Sequence, residues 1–258
     1  METRNDIVLV GAGNLATSLA MALKEHGMAP VAIWSRTEAS ASALASMVGC
    51  RWETSVDALP DAAIVMIAVA DSALRDVARR VAARYPGALL LHTAGSIPMG
   101  ALREAGAAHY GVFYPMQTMS RQNIVPFAGV SIFIEACDDN TASIIENIAR
   151  SLSDKVVYAT SEQRKALHVA AVFACNFPNA LYNMTYELMQ RNGLPFDAML
   201  PLIDEAARKV HRMSPLEAQT GPARRGDVNV MNAHKAMLDD ELAGIYSMMS
   251  DYIMKRNK

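Results

Sequence analysis

Three cysteines in 258 residues, at positions 50, 137 and 175, are an odd number with neither CxxC nor Cys/His spacing. They suggest neither a disulfide framework nor a zinc site, so reduced thiols and no bound metal are expected. Charge of one sign is also lacking. The 24 Lys and Arg against 26 Asp and Glu leave a net charge of -2, with no long acidic or basic run. That excludes recruitment of nucleic acid or an anionic membrane by bulk electrostatics, and the ligand should be small. The longest apolar run, residues 62–70, is half of the ~18 residues that a membrane helix needs. The chain passes from Glu2-Thr3-Arg4-Asn5-Asp6 into a strand-like run without a cationic leader, so a cytoplasmic protein is expected. No internal repeat, low-complexity tract or long linker interrupts it. What is present is an ordinary globular composition, 52% apolar and 19% charged. At one domain per ~150 residues the length suits one large or two modest domains.

The first 160 residues alternate short β-branched runs with Ala-rich stretches, the pattern of a parallel α/β sheet. Strands are predicted at 7–10, 31–35, 51–52, 64–69, 88–93, 110–114, 130–135 and 155–158, with helices at 14–26, 38–48, 71–85, 98–104 and 140–152. The 64–69 run is apolar throughout, as a strand covered on both faces should be. After Thr160 only helical periodicities remain, at 161–192, 196–210 and 228–255. The last carries an apolar stripe of Met231, Leu238, Leu242, Ile245, Met249 and Tyr252 behind Asp227, a suitable N-cap. Nine of the 17 methionines lie after residue 160, which suits irregular helix packing or a helical dimer interface. Domains are therefore expected at 1–159 and 160–258.

The first strand runs into Gly11-Ala12-Gly13-Asn14-Leu15-Ala16 and then a helix, the G-x-G-x-x-A form of the dinucleotide fingerprint in its proper context. Gly11 permits the tight turn, Gly13 removes a Cβ that would block a pyrophosphate, and the amides around Asn14 and Leu15 at the helix start receive the phosphates. Where an NAD site usually presents a ribose-binding carboxylate, this chain reads Trp34-Ser35-Arg36-Thr37. Two hydroxyls and a guanidinium suit the 2′-phosphate of NADP, which a carboxylate would repel. Ala70 and Thr93, at the ends of two further strands, are candidate walls of the nicotinamide pocket. His92 is either a substrate or cofactor contact or a satisfied structural histidine.

The hydride carrier needs catalytic groups beside it. At about 100° per residue, Lys165 and Asn176 lie about 20° apart and His168 and Asn176 about 80° apart, so the three share a polar stripe on an otherwise Ala/Val/Phe helix. A cleft against the first domain would relieve the cost of that polarity; the alternative is that these groups bond to neighbouring backbone. His168 is the favoured acid/base, because imidazole titrates near neutral pH. Asn176 would orient the substrate, and Lys165 would stabilise charge or donate in place of His168. Gln117, in Phe113-Tyr114-Pro115-Met116-Gln117-Thr118, is placed on the nicotinamide side of the cleft, with an ordinary Pro-led turn as the alternative. Arg224 and Arg225 offer planar forks to an acidic substrate group or the cofactor phosphate.

These segments, with His92-Thr93-Ala94-Gly95-Ser96, the run from His168 to Phe177 and Thr220-Gly221-Pro222-Ala223-Arg224-Arg225-Gly226-Asp227, resemble over nearly the whole chain a bacterial family of Rossmann-like NADP oxidoreductases with a helical C-terminal domain of uncharacterised function. The resemblance implies the 6-phosphogluconate-dehydrogenase-like superfamily, related to pyrroline-5-carboxylate reductase and β-hydroxyacid dehydrogenases, whose helical second domain commonly dimerises. Some relatives are deazaflavin-dependent. The Lys-x-x-x-Asn pair of the β-hydroxyacid branch is not matched, since Lys165 is followed at that spacing by Val169. The expectation is a Rossmann-type, doubly wound, mostly parallel α/β sheet followed by an all-helical domain. It would be an NADP-dependent reductase or dehydrogenase acting on a small, anionic carbonyl or imine between the domains. The alternative is a catalytically idle NADP-binding sensor or partner-binding module.

Overall fold

The computed structural model describes residues 6–120, 122 and 124–256; the Glu2–Asn5 stretch discussed above lies outside them. Eight strands make one sheet: β1 (Ile7–Val10), β2 (Ala32–Trp34), β3 (Arg51–Glu53), β4 (Ile64–Ile67), β5 (Leu89–His92), β6 (His109–Met116), β7 (Ser131–Ala136) and β8 (Val156–Tyr158). Their order is 3-2-1-4-5-6-7-8. Every neighbouring pair is parallel except β6 and β7.

The two faces are covered by different helices. Ile7 and Leu9 of β1 pack with Met66, Leu91 and Phe113 against α1 (Asn14–Glu25), α2 (Glu38–Val48) and α5 (Asp139–Leu152). Val8 and Val10 pack with Val65, Ile67 and Leu90 against α3 (Asp71–Arg84) and α4 (Gly100–Glu104). Alternate residues of one strand thus feed two cores, which is the doubly wound arrangement. The predicted strands and helices of this half are all present, with ends shifted by a few residues.

The chain divides into two compact units, Met1–Cys175 and Asn176–Lys258. The first therefore extends past the expected boundary at 160 and includes α6 (Ser161–Ala171). The buried guanidinium of Arg164 ties α6 to the rest of that unit, as described below. α6 starts with a full capping box, Thr160 accepting from the Gln163 amide and Gln163 accepting from the Thr160 amide. It is followed not by more α-helix but by a π-helical segment, Val172–Asn176, so the single helix predicted over 161–192 is interrupted there.

The second unit contains α7 (Phe177–Arg191), α8 (Leu200–Lys209), two one-turn helices α9 (Pro215–Ala218) and α10 (Pro222–Arg225), α11 (Val228–Lys235) and α12 (Asp240–Arg256). Asp227 caps α11 as expected, its carboxylate accepting from the Val230 amide at 3.2 Å. The continuous helix predicted over 228–255 is broken, because Asp239 caps a new helix by accepting from the Leu242 amide at 3.0 Å. The same carboxylate takes Arg191 at 2.8 Å, fastening the α11–α12 corner to the end of α7. No described helix is long and apolar enough to cross a membrane.

Candidate active site

The order of the sheet reverses direction at β1, with β2 on one side and β4 on the other, and ligands of open α/β sheets sit at the carboxyl edge of such a switch point. A cavity of about 390 Å³ lies there, lined by the Gly11–Gly13 turn, by Trp34-Ser35-Arg36-Thr37 and by Ala68-Val69-Ala70 among others. Gly11 has φ +129°, and a Cβ on it would come within 2.1 Å of the Ala68 carbonyl oxygen, so only glycine serves at this turn. A Cβ on Gly13 would meet nothing within 4 Å. It would instead project into the open space over the start of α1, where no side chain caps the helix amides. Uncapped amides facing a cavity suit an anion.

Among the described residues, no carboxylate lines this cavity. Its polar lining is hydroxyls and one guanidinium: Ser35, Thr37, Ser40, Ser72 and Arg36. Ser40 and Ser72 add to the residues read from the sequence. They lie on α2 and α3 behind each strand end, where Ala-rich helix text hides them. The donor set and the open cradle fit a phosphorylated dinucleotide with a 2′-phosphate; Asn14 and Leu15, at the start of α1, are not among the lining residues of the cavity. Ala70 lines the cavity. Thr93 is not among its lining residues; it is buried, and its hydroxyl and amide both donate to the Ile67 carbonyl, at 3.4 and 3.2 Å.

His92 is likewise buried, and its Nδ1 accepts from the Ala94 amide at 3.2 Å, so the neutral ring carries its proton on Nε2. Burial first, and the nearby Arg164 cation second, push its pKa down to about 3. A neutral imidazole sealed in the core does not reach a substrate, which corrects its placement as a substrate contact.

His168 does stand at the carboxyl edge. Its Nδ1 is 3.3 Å from the Tyr114 hydroxyl, with the two rings edge to face. Both rings press on Gly95 in the turn after β5: a Cβ there would sit 2.8 Å from the Tyr114 ring and 2.9 Å from His168 Nδ1. Burial holds the Tyr114 hydroxyl above its ordinary pKa, opposed by Arg164 and aided by Asp71. Tyr114 therefore stays a phenol at neutral pH, able to donate to a neutral imidazole and to accept from a charged one. The neighbouring Ser96 hydroxyl donates to Asp71, the first residue of α3, whose neighbours Ala70 and Ser72 line the cavity. The imidazole site and the cradle thus adjoin through one turn.

The other expected site residues lie on several elements. Lys165 is exposed on α6, one turn before His168. Asn176 is exposed at the end of the π segment, through which the uniform 100° step does not run, so the expected polar stripe does not continue to it. Nor is the setting apolar and buried: Val169 is 54% and Phe173 67% exposed. Gln117 is exposed, with Oε1 accepting from the Thr118 amide at 2.8 Å. Its segment reaches the cradle, because Asn14 donates to the Met119 carbonyl at 3.1 Å. Arg224 and Arg225 are exposed on α10 of the second unit, Arg224 donating to the Leu216 carbonyl at 3.0 Å. Tyr114, quoted only as part of a motif, and Arg164 are further residues that sequence reasoning missed.

Residues 6–94 match the family of NADP oxidoreductases described as coenzyme F420-dependent, and residues 130–253 match a domain of unknown function, DUF2520. No curated protein matches. Among solved structures, a Bacteroides fragilis protein provisionally named an NADP oxidoreductase is 46% identical, with 97% of this chain and 98% of that one aligned at a TM-score of 0.93. A reductive aminase from Aspergillus terreus, solved with NADPH and ethyl levulinate, is 17% identical over 98% of this chain and 94% of its own, at a TM-score of 0.73. A pyrroline-5-carboxylate reductase from Coxiella burnetii is 15% identical over 99% and 98%, at a TM-score of 0.60. The last two show a shared fold. The full-length relationship to the Bacteroides protein, with both domain matches in order, shows that the chain belongs to the family of NADP oxidoreductases that carry a C-terminal DUF2520 domain.

Proposed function

We propose that this protein is an NADPH-dependent reductase or dehydrogenase acting on a small carbonyl or imine compound, with His168 as its acid/base. The observation that carries the reading is the His168–Tyr114 pair packed on Gly95, one turn away from a cradle without carboxylates. The Gly11–Leu15 turn and Ser35-Arg36-Thr37 would hold NADP(H), which supplies or accepts the hydride when bound. His168 holds the proton that a reduced carbonyl or imine must gain, on the ring nitrogen not engaged by Tyr114. The phenol keeps that ring oriented through both protonation states, since its hydroxyl serves as donor or acceptor. A neighbour solved with NADPH and ethyl levulinate supports the substrate class by fold alone.

The roles of the remaining residues are narrower proposals. Lys165 assists from the helix that carries His168 and Asn176 from the end of the π segment that follows it, and Gln117 flanks the nicotinamide end beside Asn14. Arg224 and Arg225 recruit an acidic substrate group. The helical unit forms a homodimer, an association favoured by Leu202, Met237 and Met248, which are 67, 78 and 72% exposed.

The test is His168→Ala, assayed with NADPH against a panel of small carbonyl compounds and cyclic imines. Loss of general acid–base help should lower turnover by about 10²-fold or more while NADPH affinity stays within a factor of about two. Equal turnover in both proteins overturns the assignment. Failure of wild type to consume NADPH with any acceptor, while still binding it, favours a sensor.

A further inference from the structure

Arg164 is 1% exposed, although the text around it, Glu162-Gln163-Arg164-Lys165, is that of a solvated helix start. Its guanidinium spends its donors on four partners. Nε donates to the Ala94 carbonyl at 3.2 Å and Nη2 to the Ile97 carbonyl at 2.7 Å, so the plane of the fork grips both ends of the turn after β5. Nη1 donates to the Glu135 carboxylate on β7 at 2.5 Å. Glu135 also accepts from the Ser161 hydroxyl at 2.9 Å, and Nη2 reaches that same hydroxyl at 3.5 Å. The charge pair is therefore closed on itself, which is the condition under which a buried charge is tolerated.

The consequence lies one helical turn away. Arg164 and His168 are four residues apart in α6, hence on one face, and the turn that Arg164 grips contains Gly95, the residue against which His168 and Tyr114 rest. A lysine at 164 would keep the charge but, being a single point donor, would not grip two carbonyls in one plane.

We infer that Arg164 is a positioning residue: by clamping α6 to the Ala94–Ile97 carbonyls, with Glu135 as its counter-ion, it sets the distance between His168 and the Tyr114 hydroxyl. The inference concerns this contact, and gains a catalytic meaning only if His168 is the acid/base proposed above. Its test therefore reads the contact and not turnover.

The ¹⁵N resonances of the His168 ring are assigned in wild type by comparison with His168→Gln. Their change in Tyr114→Phe calibrates loss of the hydrogen bond. Arg164→Lys and the paired Arg164→Met/Glu135→Leu are then compared. The pair removes both charges at once, a change that buried ion pairs often tolerate without loss of stability, but it leaves the turn unclamped. Each should move the His168 Nδ1 resonance in the same direction as Tyr114→Phe and by at least half as much, with NADPH affinity within a factor of about two of wild type. Should neither protein fold, Glu135→Gln, which keeps an acceptor for the fork, should give a smaller shift of the same sign. A folded variant from this set in which the His168 resonances superimpose on wild type overturns the inference. The same variants assayed for turnover then report on the acid/base proposal separately: a shifted resonance with full activity keeps the clamp and removes the histidine from the chemistry.

Discussion

The two units bury apolar surface differently. In the first, β1, β4 and β5 are buried at every position, and residues of one strand alternate between two cores. In the second, α7 and α8 contain no buried residue, and Leu202, Met237 and Met248 face outward. One of its cavities, about 340 Å³, is an apolar hollow lined by Leu181, Leu188, Leu242 and Ile245 among others. The first unit contains the core that holds it together and spends its polar residues on a site. The second leaves large apolar side chains exposed, a surface that suits the association proposed above.

The comparison breaks most directly at Phe113, which is fully buried at the centre of β6. Phe113→Ala should cost about 3–5 kcal/mol, measured by urea unfolding of the first unit's transition. A cost near zero would mean that its core is not the closed packing described. A smaller effect sharpens the contrast through pH. Because burial depresses His92 to about 3, the unfolded chain takes up a proton below about pH 6.5 that the folded core refuses. This contribution to stability is complete above that pH and declines as pH falls towards 3, amounting to about 2 kcal/mol between pH 7 and pH 5. His92→Asn, which keeps an acceptor for the Ala94 amide, should flatten that part of the stability–pH curve; an unchanged curve would place the titration elsewhere. The smallest effect on the fold is expected at Leu202. Leu202→Asp should alter unfolding of the chain by only about 0.5 kcal/mol yet halve the mass seen by sedimentation, whereas an unchanged mass would remove this face from the proposed dimer.

Much of the first unit could be read in the sequence because its signals are local. A continuous apolar run such as 64–69 declares a buried parallel strand, and the Gly11–Ala16 turn declares a phosphate cradle. The arrangement around His168 was legible only in part. His168 stood out as a polar residue on a helix, but Tyr114 and Gly95 reach it from 54 and 73 positions away in the chain, a distance no periodicity spans. Arg164 was hidden for the same reason. Its partners at Glu135 and Ala94 lie 29 and 70 residues upstream, and without them an arginine among Glu, Gln and Lys reads as a solvated charge. The break at Asp239 illustrates the converse case. A capping carboxylate is a local signal, but an apolar stripe continuing on both sides of it masks the stop.

The central claim is that the carboxylate-free cradle at Gly11–Gly13 and Ser35-Arg36-Thr37 selects a 2′-phosphorylated dinucleotide. Titration of wild type and Arg36→Ala with NADPH and with NADH, followed by nicotinamide fluorescence, tests it most directly. The account predicts tighter binding of NADPH by wild type and a preference reduced by about tenfold, or 1.4 kcal/mol, in the variant. Equal affinities for the two dinucleotides in wild type, or a preference for NADH, would contradict it.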